Sequence, residues 1–301
     1  MITLGDKGKE VSQLQKYLSM LGYDLVIDGG FGNKTLRSLK AFQKKYGLLV
    51  DGIAGAQTFS ALKAAQKRTA KENKDTKTGK SYGDMEVDVD HHMEPEQYIK
   101  QIFTKDKLFI HYTVSGPDSK KVIKYWDGNS ARIATAFVMS GRGDEDGKVY
   151  EAFNPDYWSY HLGVKGTKGK LDKNSIGIEI CAWGRLTKKG EKFYNAYGGE
   201  VSADEVCTLE SKWRGNQYYH AYSDKQIESL EKLILWIIKE YKIPVQDINF
   251  DKDWAEYDED IIKNRTPGIW THTSVRKDKQ DTYPDKRIFD MLNRIKEKVN
   301  I

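Results

Sequence analysis

Two imidazoles and one carboxylate form a set that could hold a metal ion. His111 lies within Phe109-Ile110-His111-Tyr112-Thr113, His272 closes Ile269-Trp270-Thr271-His272, and Asp281 follows nine residues later. Three nitrogen and oxygen donors, with a fourth position open to water, are what a catalytic zinc requires. A histidine inside a strand is more often a hydrogen-bonded core residue, so the metal reading competes with that plainer one. The remaining histidines offer less. His91 and His92 are adjacent, and adjacent side chains on an extended segment point to opposite faces, which makes them a poor chelating pair. His220, in Tyr218-Tyr219-His220-Ala221-Tyr222, fits no reactive pattern and reads as structural. Cys181 and Cys207 belong to no Cys-x-x-Cys, cannot build a disulfide framework, and read as free thiols.

Bringing residues so distant in the chain together needs a sheet. β-Branched and aromatic runs at 107–114, 134–139, 148–153 and 175–183 are separated by turn residues and predict strands. His111 then sits on what its apolar neighbours suggest is a buried edge of that sheet, and His272 on a second strand-like run. Ser223-Asp224-Lys225-Gln226 is a capping box opening a long helix, whose stripe of Ile227, Leu230, Ile234, Ile237 and Tyr241 ends before Pro244. A last helix carries Ile288, Met291, Leu292 and Ile295. The predicted architecture from about residue 93 to 301 is therefore an α/β domain, a mixed sheet flanked by helices.

Residues 1–65 are organised differently. Asp28-Gly29-Gly30-Phe31-Gly32-Asn33-Lys34-Thr35 and Asp51-Gly52-Ile53-Ala54-Gly55-Ala56-Gln57-Thr58 share the template Asp-Gly-x-x-Gly-x-x-Thr at a 23-residue offset. In each copy Asp-Gly predicts a tight turn, the second glycine a left-handed residue, and the threonine a cap for the helix that follows. Apolar stripes at Val11, Leu14, Leu18 and Leu21, at Leu36, Leu39 and Phe42, and at Phe59 and Leu62 predict a small three-helix domain. Between the two domains, residues 67–80 contain no aliphatic side chain larger than alanine, and such a stretch buries too little apolar area to offset its ordering entropy. The segment 66–92 reads as a flexible charged linker.

Composition narrows the function classes. A 301-residue chain with 39% hydrophobic and 31% charged residues has room for two cores and the balance of an ordinary soluble protein. The apolar run 233–238 is far too short to span a bilayer, and the first residues lack both the basic start and the apolar core of a signal peptide. A formal charge of +5 favours a polyanionic partner, a nucleic acid or an acidic wall polymer, without choosing between them. No nucleic-acid motif accompanies the charge, so nucleic acid and membrane are not expected as partners.

Particular motifs go further. Residues 4–65 resemble the peptidoglycan-binding module found beside many wall hydrolases, on Val11-Ser12-Gln13-Leu14-Gln15, Gly22-Tyr23, Asp28-Gly29-Gly30-Phe31-Gly32, Phe42-Gln43, Gly47-Leu48 and Asp51-Gly52. Residues 105–285 resemble the zinc-dependent N-acetylmuramoyl-L-alanine amidases, a family that includes phage lysozyme-amidases and peptidoglycan recognition proteins. The carrying motifs are Phe109-Ile110-His111-Tyr112-Thr113, Tyr160-His161-Leu162-Gly163, Asn174-Ser175-Ile176-Gly177-Ile178-Glu179-Ile180, and His272 with Lys279-Gln280-Asp281.

The resemblance implies one zinc per chain on His111, His272 and Asp281, with bacterial peptidoglycan as the partner and the muramoyl–alanine amide as the bond cut. It implies Glu179 as general base, Lys279 facing the developing oxyanion, and His161 in contact with substrate. A buried strand offers an unpaired carboxylate little stabilisation, which suits a functional Glu179, though a solvent-facing strand end is the plain alternative. The plain alternative for Lys279 is a surface lysine beside Arg276 and Lys277. A monomeric wall-binding module joined to an amidase, without a signal peptide, looks like a phage endolysin held in the host cytoplasm until release to the wall. Some relatives bind peptidoglycan without cutting, and that is the competing reading. Three departures stand out. The family's Lys-x-Asp-Pro-Gly is here Lys279-Gln280-Asp281-Thr282-Tyr283, leaving Asp278 and Asp285 as rival donors at the wrong offset. Thr135 stands where some members carry tyrosine, with Ala136 where histidine often follows, which shifts the acid–base work to Glu179. Residues 184–222 exceed what the core fold needs, and their Tyr194, Tyr197, Trp213, Tyr218, Tyr219 and Tyr222 either wall the substrate groove or pack as a satellite core.

Overall fold

The structure, a computed structural model, describes residues 1–23, 25–72, 80–129 and 131–299, and divides into a unit of residues 1–77 with 100–102 and a unit of 78–99 with 103–301.

In the first unit, helices α1 (Lys9–Met20), α2 (Asn33–Lys45) and α3 (Ala56–Glu72) enclose a core of Val11, Leu14, Leu18, Phe31, Leu39, Phe42 and Leu62. The sequence repeat is a repeated hydrogen-bond lock. Gln15 Nε2 donates to Asp28 Oδ1 at 2.8 Å and to Gly30 O at 3.0 Å, while its Oε1 accepts from Gly29 N at 2.9 Å. Gln43 does the same one repeat later, donating to Asp51 Oδ1 (2.8 Å) and Ile53 O (3.1 Å) and accepting from Gly52 N (2.9 Å). A buried glutamine on one helix thus satisfies the polar groups of the turn that leads to the next, groups that would be costly to bury unpaired. The left-handed residue is the first glycine of each copy, Gly29 (φ 72°) and Gly52 (φ 77°), and not the second. The threonines do not cap: Gly32 is the N-cap of α2, Thr35 lies buried in its first turn against Gln15, and Thr58 Oγ1 donates back to Ile53 O.

The second unit is built on a seven-stranded mixed sheet. Its strands are β1 (Lys80–Tyr82), β2 (Met85–Asp88), β3 (Lys107–Tyr112), β4 (Phe137–Met139), β5 (Val149–Glu151), β6 (Ser175–Ile180) and a last strand, Gly268–Thr271. Helices α4 (Ser119–Asp127) and α5 (Lys170–Lys173) fall between β3 and β6. Residues 184–222 form their own two small sheets, β7 (Thr187–Lys189), β8 (Lys192–Tyr194) and β9 (Glu200–Val201) in one, and the hairpin β10 (Val206–Trp213) with β11 (Asn216–His220) in the other. Then come α6 (Asp224–Tyr241), α7 (Phe250–Asp253), α8 (Glu259–Asn264), the last strand as β12, α9 (His272–Val275) and α10 (Lys286–Val299). The order across the main sheet is β1-β2-β5-β4-β6-β3-β12, with β12, β3, β6 and β4 successively parallel and β4–β5 and β1–β2 antiparallel. The capping box at Ser223 is formed, Gln226 N donating to Ser223 Oγ and Ser223 N to Gln226 Oε1, each at 3.0 Å.

Two expectations change. β1 and β2 belong to the sheet although they fall inside 66–92, because Tyr82, Met85 and Val87 alternate inward and join the main core; α3 runs on to Glu72, and residues 73–79, half of the charged stretch 67–80, lie outside the described residues. β3 is not an edge, since β12 pairs along its outer side.

Side-chain alternation divides the sheet between packing and chemistry. Leu108, Ile110 and Tyr112 of β3, with Ile176, Ile178 and Ile180 of β6, join the core that includes Leu230, Ile234 and Ile237 of α6 and Ile288 and Leu292 of α10. The other face carries Phe109 and His111 on β3, and Ser175, Gly177 and Glu179 on β6, paired in register as Phe109–Gly177 and His111–Glu179.

Candidate metal centre

His111 Nδ1, His272 Nδ1 and Asp281 Oδ2 meet at one point: the two nitrogens are 3.1 Å apart, and the carboxylate oxygen is 3.0 Å from the first and 2.9 Å from the second. All three residues are buried, at 3%, 5% and 9% exposure. They are the one group of three or more metal-capable side chains among the described residues. His272 does not continue the strand. Thr271 ends β12 and caps α9, its hydroxyl accepting from Ser274 N at 3.1 Å while Ser274 Oγ accepts from Thr271 N at 3.2 Å, and that reciprocal cap turns the chain so that the imidazole faces β3. The Asp281 carbonyl accepts from Thr273 N at 3.1 Å, tying the carboxylate's own backbone to the same turn.

The surrounding hydrogen bonds fix which ring nitrogens carry protons. His272 Nε2 lies 2.8 Å from the Leu162 carbonyl, which can only accept, so in the neutral ring the proton is on Nε2 and Nδ1 presents a lone pair. For His111 the logic runs through a chain. Ser175 Oγ donates to Asp172 O (3.3 Å) and so accepts from His161 Nε2 (2.8 Å); His161 Nδ1 then accepts from His111 Nε2 (3.0 Å). His111 Nδ1 is therefore a lone pair as well. Two imidazole lone pairs and a carboxylate converge at about 3 Å with no proton between them, an arrangement that a cation stabilises. Four donors at about 2.0–2.1 Å around zinc would be about 3.3 Å from one another, close to the spacing here. The donor set fits the metal.

Burial pushes the His111 imidazole down to about 4, with the charge of His272 adding and the hydrogen bond to Asp281 opposing. Burial alone would raise the Asp281 carboxyl, but any proton entering the cluster is held by the imidazoles, whose protonated forms would place charge and a donor beside it, and this preference keeps the carboxyl well below the usual carboxylate range. The rival donors are engaged elsewhere: Asp278 pairs with Arg276, and buried Asp285 pairs with Arg287 at 2.8 Å.

The cluster opens on a cavity of about 730 Å³ lined also by Glu179, Lys279, His161, Thr135 and Tyr197. Glu179, level with His111 on the next strand, is pushed well above the usual carboxylate range by burial and by the charge of Asp281, against the opposing charge of Lys279. Thr135 donates its hydroxyl to Phe137 O at 2.9 Å. His161 lines the cavity, and both of its ring nitrogens are engaged inside the protein, on His111 and Ser175. Leu162 and Ser175, silent in the sequence reading, sit within two of its quoted motifs. Gly177 has the same logic, because a Cβ there would come within 2.7 Å of Thr135 Cγ2 and 3.0 Å of His161 Nδ1. Of the other candidates, His220 faces Glu205 at 3.5 Å, His91 pairs with Asp88 (2.9 Å) and His92 with Glu151 (3.0 Å), apart from the cluster. Cys181 and Cys207 are free.

A mixed sheet thus presents a His/His/Asp cluster, able to hold a metal ion, in an open cavity. The chain belongs to the N-acetylmuramoyl-L-alanine amidase family, whose pattern matches residues 103–284, and a family described as a putative peptidoglycan binding domain matches residues 7–62. Peptidoglycan is accordingly the substrate. Among solved structures, the SleB N-terminal domain is 44% identical over 22% of this chain and 90% of its own (TM-score 0.21). PlyL is 13% identical over 70% of this chain and 98% of its own (TM-score 0.42). The catalytic domain of XlyA is 16% identical over 71% and 98% (TM-score 0.39). No curated protein matches the chain.

Proposed function

We propose that this chain is a zinc-dependent amidase that cleaves the bond between N-acetylmuramic acid and L-alanine of the stem peptide, with one zinc per monomer on His111, His272 and Asp281. The observation that carries the reading is the convergence of three proton acceptors, two of them imidazole nitrogens whose protons are committed to the opposite side of the ring. Zinc in such a site supplies Lewis-acid polarisation of the scissile carbonyl and acidifies a water. Glu179 takes the proton of the attacking water and returns it to the alanine nitrogen as the C–N bond breaks. The Lys279 ammonium offsets the negative charge that develops on the carbonyl oxygen, where a fixed charge in a partly dry cavity has most effect. Residues 1–65 hold the enzyme on its insoluble polymer and raise the local concentration of the catalytic unit. The pairing of wall-binding and wall-cutting modules supports an endolysin role, with action on the wall after release from a host cell.

Zymography on purified walls, with and without chelator, tests this together with the metal content of wild type and His272→Ala. The expected result is about one zinc per chain, lost in the variant, with clearing abolished by metal removal. Clearing that survives complete metal removal refutes the zinc mechanism. A tight muropeptide complex yielding no product by mass spectrometry makes the protein a non-catalytic recognition module.

A further inference from the structure

Asp281 is delivered by an irregular stretch, residues 276–283, between α9 and α10, and such a stretch has no ladder of its own to fix it. The end of the segment 184–222, which the main sheet does not use, touches it through the β10–β11 hairpin and the residues just after it. Arg214, at the tip of the β10–β11 hairpin, directs one guanidinium nitrogen, Nη1, to three backbone carbonyls of this stretch: Arg276 O at 3.5 Å, Lys277 O at 3.0 Å and Lys279 O. The guanidinium is itself held, its carbon 5.0 Å from the Trp213 ring centroid, while Trp213 Nε1 donates to Glu256 Oε1 at 3.1 Å. Asn216, two residues on, reaches Gln280 Oε1 at 3.5 Å. Downstream of Asp281, Tyr283 is stacked between Tyr219 and Tyr222, with centroids at 4.5 and 5.0 Å and planes within 19° and 10°, and its hydroxyl donates to the His220 carbonyl at 3.0 Å. The hairpin and the residues after it thus grip the chain on both sides of Asp281 and leave the carboxylate free to point into the cluster.

We infer that Arg214 is a positioning residue for Asp281, and that the β10–β11 hairpin is a built-in clamp which pre-forms the third metal donor before metal arrives. The inference rests on the zinc reading above. It accounts for the division among the aromatics of 184–222: Tyr219 and Tyr222 are buried in the clamp, while Tyr197 stands 75% exposed at the cavity. A donor held in place loses little freedom on binding, so releasing it weakens the metal without removing any ligand.

The test measures zinc affinity of the full chain by chelator competition in wild type, Arg214→Met, Arg214→Lys and Asp281→Ala, with amide hydrogen exchange of residues 276–283 in the metal-free protein. Loss of a group that orients a ligand costs about 10–100-fold in metal affinity, the range expected for Arg214→Met. Faster exchange of 276–283 should accompany it, and Arg214→Lys, which keeps a cation with several donors, should recover most of the affinity. Cobalt in place of zinc should give an altered absorption spectrum in Arg214→Met. A lowered melting temperature with wild-type zinc affinity and unchanged exchange overturns the inference, reducing Arg214 to a hairpin contact. If Asp281→Ala binds zinc as wild type does, the ligand assignment itself fails, and the clamp has no donor to position.

Discussion

The role of His161 separates the geometry from the family expectation. His161→Leu removes the acceptor at Nδ1 and leaves the Nε2–H of His111, a residue only 3% exposed, without a partner. An orphaned buried donor costs about 1–3 kcal/mol. A lost outer partner of a metal-bound histidine independently costs about 10–100-fold in affinity, or about 1.4–2.8 kcal/mol, and the two figures coincide. His161→Asn should restore most of the loss, because its side-chain oxygen takes the place of Nδ1, although the bond to Ser175 is gone. The assay is zinc competition against a chelator, paired with kcat and KM on a soluble muropeptide at saturating zinc. The expected outcome is weaker zinc binding in His161→Leu, recovery in His161→Asn, and KM little changed once metal is saturating. Unchanged zinc affinity combined with a raised KM would refute the reasoning and return His161 to the substrate side of the cavity.

Glu179→Gln should keep its zinc yet lose about 10²–10⁴-fold in kcat, the usual contribution of a general base; turnover near wild type excludes that role. Because the Glu179 carboxyl is raised and the base must be ionised, activity should fall on acidification at higher pH than an ordinary glutamate gives, with this limb absent from the residual activity of the variant. In metal-free protein His111 titrates near 4 instead of its ordinary 6.5, so between these values the folded state binds fewer protons than the unfolded. Stability from this group is complete above about 6.5 and lost as pH falls toward about 4, a change on the order of 3 kcal/mol that His111→Asn should flatten in thermal melts. Gly177→Ala should push Thr135 and His161 apart and weaken zinc binding while leaving the module of residues 1–65 able to pull down walls. Gln43→Leu should do the reverse, destabilising that module by at least about 1–3 kcal/mol through the orphaned Gly52 amide; equal hydrogen exchange across α1–α3 would exclude the lock.

The long elements were readable because their signals are local. The capping box at Ser223, the stripe through Ile237 and the strand cores at 107–112 and 175–180 all occur where periodicity puts them. Readings that failed depended on partners elsewhere in the chain. Nothing near Thr35 tells that Gln15, twenty residues earlier, donates to its hydroxyl oxygen, so local sequence favours a cap. β1 and β2 sit in a polar, charged neighbourhood and gain stability by pairing with each other, by β2 pairing with β5 and by burying Tyr82, Met85 and Val87 in the main core, information that composition does not carry.

The site was legible to a different depth in each shell. The donor types alone left His111, His272 and Asp281 competing with the reading of a hydrogen-bonded core histidine, and the family resemblance pointed to these three, which the fold brings together. The supporting groups are ordinary residues whose function is positional: a leucine carbonyl, a serine hydroxyl and an arginine on a remote hairpin acquire their roles only when the chain is folded. One signal for them was nevertheless present. Ser175-Ile176-Gly177-Ile178-Glu179-Ile180 alternates strictly, and once the isoleucines are assigned to the core, serine, glycine and glutamate must share the opposite face with whatever chemistry that face performs. The serine is small and polar, the glycine leaves room for His161, and the glutamate reaches the cavity. Reading such a strand by faces, and not as a hydrophobic run, converts a fold signal into a statement about the site. It also explains why a single-residue shift of β6 against β3 would move all three groups away from His111 at once.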